Sequence, residues 1–458
     1  MPTGWTSTRA GLEQPTVRFA SVAPPAPEPA PRAGRPGWRA GRTATLLSTS
    51  SDEAATSLLP AFLSGTLGAS PIALGVIEGL ASGADGVARL GGGALAEDPR
   101  RRSWISAGSF AVMAALTGLL AVAANSLQAG VLRAGSSTAR GLRSPQRYAS
   151  VPEHAGEDTY GRAFGFERCV HHLASVGGPL LAFAALALVG VRAAMLAAVV
   201  PGLVALAIGV WLLRRRPGPS PRSGRQPPRL QVRAVYTGRL GRLMTGITLF
   251  ELANFAAVLL ILRATRLLEQ QDVPFGAAAM AVLLYMLWRL AASGSCLLCG
   301  RMVDRCGPAP VMAGGVLVLL VAYAGFAFLD GTVGELALCF LAAGAASGAI
   351  EAAEHVGVAQ VAPVTLRWSA FGSLSAVRSF GRLTATVGAT VVWTVLGPEW
   401  GLLLATPLMA MAVVVMTCGA TDSAPGPLWR IVRALVLALL PAAVALLLVA
   451  TGGIRSYP

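Results

Sequence analysis

Gly93-Ala94-Leu95-Ala96-Glu97-Asp98-Pro99-Arg100-Arg101-Arg102 closes a long apolar run, and its pattern returns as Gly300-Arg301-Met302-Val303-Asp304-Arg305-Cys306-Gly307. A second short mark, Ala163-Phe164-Gly165, returns as Ala370-Phe371-Gly372. Positions 93 and 300, and positions 163 and 370, are each 207 residues apart, so the repeat keeps its register without a net gap. Long apolar stretches fill the chain between these polar marks. Two like-oriented halves of membrane helices have one favoured use, which is alternating access to a site between them.

The protein has 458 residues, 54% hydrophobic and 13% charged, where a soluble chain holds about a quarter charged residues. Apolar runs of about 18 or more residues read as membrane-spanning helices, because lipid offers backbone groups no other partners. Such runs fall near 44–66, 71–95, 104–124, 126–143, 164–188, 193–213, 243–263, 275–298, 309–329, 334–356, 370–396, 400–420 and 430–452. The fourth is interrupted by Arg133, Ser136, Ser137 and Arg140, and the last lies outside the repeat. The expectation is an all-α membrane protein of two six-helix bundles (44–213 and 243–420) with an additional C-terminal helix within 421–458.

A net charge of +15 would point to nucleic acid in a soluble protein. Here the basic residues occupy alternate loops instead. Arg100 to Arg102 follow the second span, Arg140, Arg143, Arg147 and Arg162 lie between the fourth and fifth, and Arg214 to Arg216, Arg222, Arg225, Arg229 and Arg233 fill the central loop. The opposite loops are nearly bare: residues 64–71 carry no charge, and Asp330 and Glu335 are acidic. The positive-inside rule then places the N-terminus and central loop in the cytoplasm of a multi-pass cell-membrane protein. Residues 1–43, rich in Pro, Ala and Arg, read as a disordered cytoplasmic tail. The Pro- and Arg-rich segment 214–242 reads as a hydrated linker suited to an anionic leaflet. Of six cysteines, Cys296 and Cys299 form a C-x-x-C pair without a second ligand pair, so they read as small packing residues; no metal or cofactor is expected.

The polar marks resemble the loop motif of the major facilitator superfamily, glycine-x-x-x-aspartate-arginine-x-glycine followed by basic residues. Gly300, Asp304, Arg305 and Gly307 give the cleaner copy; in the first, Gly93 is kept, Glu97 stands for the aspartate, and Arg101 and Arg102 supply the basic end. Arg140-Gly141-Leu142-Arg143-Ser144-Pro145-Gln146-Arg147, then Gly161-Arg162-Ala163-Phe164-Gly165-Phe166, resembles a prokaryotic branch in which an arginine-rich string closes span four. Glu351-Ala352-Ala353-Glu354 in span ten resembles the same branch. The likeness runs from about residue 44 to 420. It implies a twelve-helix fold whose two bundles rock about a central cavity, with these loop motifs acting in the conformational change. Independently, a carboxylate at a helix-to-loop turn can cap a neighbouring helix N-terminus, and such contacts hold one rigid-body state and break in the other.

Ionisable groups inside a bilayer cost at least ~2.5 kcal/mol each, so they face a partner or a watery cavity. Asp52 and Glu53 lie midway along span one, a quarter-turn apart; register with the family makes Glu53 the expected acid. Glu78, Asp85 and Arg89 share a face of span two, where Asp85 and Arg89 can pair within the helix. Arg133 matches the mid-helix arginine that the superfamily associates with proton coupling in exporters. The leading site is Arg133 facing Glu53 or Asp52, either as a titrating pair or as a permanent structural one. Gly177-Gly178-Pro179 in span five resembles part of an exporter motif.

Subtracting the repeat offset carries Glu351 and Glu354 onto Ser144 and Arg147. A cytoplasmic gate in which Arg143 or Arg147, beside Arg140, meets Glu351 or Glu354 is therefore expected, the alternative being pairing within each bundle. Arg289, Arg378 and Arg382 are further inward candidates, and their positive charge favours an anionic or polar group on the solute. The expected function is a secondary transporter of a small organic solute, coupled to protons and exporting it, partnered by the lipid bilayer and acting as a monomer without nucleic acid. The rivals are an importer of the same fold and a non-transporting scaffold or sensor, the latter drawing on family acids lost at Thr49, Ser136 and Ala257. No nucleophile–base pair, zinc spacing or phosphate loop points to an enzyme.

Overall fold

A computed structural model of the chain describes residues 36–68, 71–96, 99–153, 155–215, 231–271, 273–274 and 276–418. Among them there are helices and turns but no strand. The first half holds α1 (Pro36–Pro60), α2 (Pro71–Leu95), α3 (Pro99–Ala121), α4 (Ser126–Ala149), α5 (Tyr160–Val189) and α6 (Val191–Arg215). After the short α7 (Val232–Val235), the second half holds α8 (Gly238–Glu251), α9 (Ala257–Leu268), α10 (Ala277–Cys306), α11 (Pro308–Phe328), α12 (Val333–Val361), α13 (Arg367–Leu396), α14 (Pro398–Leu403) and α15 (Ala405–Cys418).

Seven helical segments, in α3, α5, α6, α10, α11, α12 and α14–α15, are long and apolar enough to cross a membrane. Helices α1, α2, α4 and α13 have the length, but they carry buried polar groups such as Asp52, Asp85, Arg133 and Ser375. Their polarity is turned inward, which lowers mean hydropathy without exposing charge to lipid.

Three expectations change. Residues 36–43 are helical rather than part of a disordered tail, because Arg42 packs against α5, 3.5 Å from Glu167. Residues 232–242 likewise form α7 and the start of α8 rather than linker. The expected seventh span is not continuous: the backbone unwinds between α8 and α9, and the Ala256 amide donates to Thr386 Oγ1 at 2.7 Å. Irregular backbone at membrane depth survives where another group satisfies it or where it lines a cavity, and Ala256 does line one. Residues 1–35, 216–230 and the expected last helix within 421–458 lie outside the described residues.

The repeat is a structural one. Helices α5 and α13 begin at 160 and 367 and end at 189 and 396, 207 residues apart at both ends. The same offset separates the starts of α4 and α12, and of α6 and α14. Contacts between the halves obey it too, since α2 packs on α13 as α10 packs on α5, and α4 on α13 as α12 on α5. Phe164 stacks on its own repeat mate Phe371 with centroids 5.8 Å apart, and Tyr148 meets its mate His355 at 4.4 Å. Residues that touch their own mates lie on the two-fold pseudo-axis, and these four mark where it passes.

Two glycine contacts flank that axis at the end bearing the basic loops. A β-carbon on Gly93 would stand 2.9 Å from Gly372 Cα, and one on Gly300 would stand 2.4 Å from the Gly161 carbonyl and 3.2 Å from Gly165 Cα. The pairs 93–372 and 300–165 are repeat images of each other. Backbone meets backbone at both because neither partner has a side chain to hold it off.

Gly300→Ala should wedge this end apart, with a cost of about 1–3 kcal/mol to the closed arrangement. Cys169 and Cys296 are buried beneath the junction, so a thiol reagent should label them several-fold faster in that variant. Gly314→Ala, where a β-carbon meets nothing within 4 Å, should leave the labelling rate unchanged.

Candidate functional site

Between the halves lies a cavity of about 930 Å³, lined from the first half by Asp52, Glu53, Asp85 and Arg140 and from the second by Arg289, Glu351, Arg378 and Arg382. Its ionisable walls form two networks.

In the first half, Arg133 and Arg140 are two turns apart on one face of α4. Arg133 Nη1 donates to Asp52 Oδ1 at 3.1 Å, its Nε to Glu78 Oε1 at 3.1 Å and its Nη2 to Thr56 Oγ1 at 2.8 Å. Arg140 Nη1 donates to the other Asp52 oxygen, and its Nε to Asp85 Oδ1 at 3.2 Å. Asp85 also accepts from Arg89 Nε at 2.6 Å, the within-helix pair, and Arg89 continues to Ser144 Oγ at 3.1 Å. Asp52 thus holds two guanidinium groups while only 4% exposed. Register with the family favoured Glu53 here, and the geometry differs. Glu53 is turned away from α4 towards α5, where it accepts from Ser175 Oγ at 3.1 Å.

The second network crosses between the halves. Glu351 on α12 accepts from Arg168 of α5 and from Arg378 of α13, and His172 Nε2 lies 3.0 Å from it. Arg378 Nε also pairs with Glu251 of α8 at 3.2 Å, and Asn254 Nδ2 donates to the other Glu251 oxygen at 3.1 Å. Glu354 is fully buried 3.9 Å from Arg378, and neither of its oxygens has a hydrogen-bond partner among the described residues.

The expected gate is wired differently. Arg147 pairs with Glu167 of α5 at 3.2 Å, and Arg143 donates to Ser48 Oγ at 3.2 Å and lies over the Phe110 ring. Neither meets Glu351 or Glu354, because α5 packs against α12 while α4 packs against α13. The cation that reaches Glu351 across the halves is Arg168. The repeat register does not single it out, although it follows Gly165 and Phe166 and an arginine within an apolar run is a signal for an inward group.

Asp304 lies in the last turn of α10 and caps the N-terminus of α5 from the opposite half. It accepts from the amides of Gly161 at 2.6 Å and Arg162 at 3.1 Å, and from Arg162 Nε at 3.1 Å. The carboxylate thereby meets the positive end of the helix dipole. Gly307 stops α10 at φ +83°, a conformation that favours glycine. Arg305 and Arg101 are exposed. Glu97 and the Arg102 side chain lie outside the described residues. No metal-binding group of histidine, cysteine or carboxylate side chains occurs among the described residues.

A paired-bundle cavity lined by buried charge and clasped at one end defines a membrane carrier. The chain matches the sequence pattern of the Major Facilitator Superfamily over residues 43–386 and belongs to that family. Uncharacterized proteins of Mycobacterium tuberculosis and Mycobacterium bovis are each 28% identical to it over 347 residues, 72% of this chain and 79% of theirs. Among solved structures, the human organic anion transporter TETRAN aligns with TM-score 0.65 at 16% identity, covering 83% of this chain and 100% of its own. A bacterial homologue of the iron transporter ferroportin, in an outward-facing state, aligns with TM-score 0.64 at 16% identity over 84% and 99%. The Escherichia coli fucose:proton symporter aligns with TM-score 0.65 at 14% identity over 84% and 98%. Likeness at this identity shows the fold. The protein is a multi-pass membrane transporter and not an enzyme.

The wiring of Glu351 is open to a double-mutant cycle on purified protein in detergent. Arg168→Ala and Glu351→Ala should couple by about 0.5–3 kcal/mol in unfolding free energy, as contacting residues do, whereas Arg147→Ala and Glu351→Ala should add to within about 0.5 kcal/mol.

Proposed function

We propose that the protein is a proton-coupled exporter of a small organic solute, working by alternating access with twelve membrane-crossing segments and acting as a monomer in the cell membrane. The observation that carries this reading is the cavity between repeat-related halves, closed at one end by symmetric glycine contacts and walled by buried ions. Contacts of backbone on backbone hold two rigid bodies together without interlocking side chains, so they can separate and re-form as units. The excess of arginine at the clasped end favours its lying in the cytoplasm, together with the N-terminus.

The Asp52 network is a reasonable seat for the proton. Its carboxylate bridges Arg133 and Arg140, and adding a proton would loosen both ties, leaving Arg133 on Glu78 and Thr56 and Arg140 on Asp85. That changes the charge offered to the solute and weakens the ties among α1, α2 and α4. Arg133 and Arg140 bracket Asp52 in the buried part of the network, while Glu78, whose side chain is 36% exposed, and Glu53 stand nearer water. Asp304 and its contact with α5 serve as the latch of the closed end, and Glu351 with Arg168 serves as the gate. Export rather than import draws on the Gly177-Gly178-Pro179 resemblance. Gly178 brings α5 so close to α1 that a β-carbon there would lie 2.7 Å from Glu53 Cβ.

Reconstitution into proteoliposomes under an imposed pH gradient tests this. Solute and protons should move in opposite directions, and Asp52→Asn should abolish the solute-dependent proton flux while leaving solute counterflow. Parallel movement would replace the exporter by an importer. The absence of any solute-driven flux across a broad compound panel would sink the carrier reading in favour of a scaffold.

A further inference from the structure

A chamber of about 340 Å³ opens off the main cavity into the second half and shares Arg289, Arg378 and Arg382 with it. Its volume falls at the low end of the ~300–1,000 Å³ typical of small-molecule pockets. The acids in its wall are already engaged. Glu251 is held by Arg378 and Asn254, and Glu351 by Arg168, Arg378 and His172.

Two cations are left over. Arg289 donates from Nε to Tyr285 Oη at 2.7 Å, and its Nη1 lies 3.5 Å from His172 Nδ1. No carboxylate among the described residues lies within ion-pair distance of it, and the same is true of Arg382. Both also line the main cavity, and a guanidinium without a directly bonded carboxylate is costly at membrane depth.

The rest of the wall fits a particular guest. The Tyr285 and Trp288 rings meet edge to face with centroids 5.3 Å apart, and the Arg289 guanidinium lies within 6 Å of both. Phe255 closes the far side and stacks on Tyr323 at 4.4 Å. The break between α8 and α9 adds a third positive element. Helix α9 starts at Ala257, on this wall; its N-cap Ala256 has no capping side chain, and Thr386 Oγ1 takes only the Ala256 amide. Its dipole therefore presents positive charge there.

We propose that this chamber is the solute site and that the solute is an organic carboxylate on an aromatic body. The carboxylate is bridged by Arg289 and Arg382 near the start of α9, and the ring lies against Tyr285 and Trp288. A guanidinium fork matches carboxylate geometry, which an ammonium or a neutral amide on the guest cannot supply. This assignment rests on the carrier reading above and names its solute class.

The test is equilibrium binding to the purified full-length protein in detergent, with naphthoate, benzoate and indoleacetate as probes and naphthamide and naphthylmethylamine as neutral and cationic controls. At least one carboxylate should bind about tenfold or more tightly than either control, as the loss of a charge-assisted pair predicts. Arg289→Gln and Arg382→Gln should each remove that preference, bringing the carboxylate to the affinity of the amide, and Arg289→Lys should restore part of it. Thermal midpoints report folding, and if Arg289→Gln fails to fold, Arg382→Gln and a fall in carboxylate affinity with rising salt carry the test. Equal binding of the three probe charges, no binding of any carboxylate, or full affinity in the folded glutamine variants overturns the assignment. Binding without transport in proteoliposomes would retain the site and sink the carrier reading, whereas proton-coupled transport of amines or neutral solutes alone would do the reverse.

Discussion

An ionised side chain inside an apolar helix bundle has to be turned inward and answered by an opposite charge, since lipid answers nothing. Much of this protein follows from that constraint. Asp52, Asp85, Arg133 and Arg140 draw α1, α2 and α4 into one network, and Glu251, Glu351 and Arg378 do the same for α8, α12 and α13. Of the helices that carry these groups, α1, α2, α4 and α13 are too polar for a simple hydropathy criterion, and all four contribute to the cavity wall. Their outer faces remain apolar, as Leu80, Val87 and Val391 are exposed.

Symmetry governs the packing and is broken by the chemistry. The glycine contacts and the Phe164–Phe371 stack obey the 207-residue offset. The charges do not. Asp52, Asp85, Arg133 and Arg140 have Leu259, Ala292, Phe340 and Ser347 as repeat mates, and Arg289 and Arg382 have Ser82 and Ser175. A like-oriented pair of halves needs matching surfaces in order to rock, so glycines and aromatics near the axis repeat. A solute and a coupling proton have no such symmetry: in one half Arg133 and Arg140 are bonded to acids, while in the other Arg289 and Arg382 have no carboxylate within ion-pair distance among the described residues. Arg168 and His172 with Glu351 tie the two halves together across the junction.

How far the sequence could be read depended on the range of the interaction. The repeat, the helices and the inward arginines are carried by local pattern and were legible, as was the Asp85–Arg89 pair one turn apart. Which of the neighbours Asp52 and Glu53 meets Arg133 was not, because a quarter-turn of α1 decides it. The partner of Glu351 was also hidden. Equivalent register in the two halves pointed to Arg147, but register says nothing of which helix lies between α4 and α12. The break between α8 and α9 left no mark in hydropathy, since Leu252 to Ala256 are unwound yet mostly apolar.

From its sequence alone this chain is determined to be helical, membrane-embedded, duplicated and supplied with inward charge, because periodicity, run length and composition are local and need no partner to be read. Tertiary structure decided the pairings: Asp52 with two arginines, Glu351 with Arg168, Asp304 on the start of α5, and two arginines left facing an aromatic chamber. Those outcomes turn on the rotation of each helix about its axis and on which helices touch. Residues tens to hundreds of positions away set both.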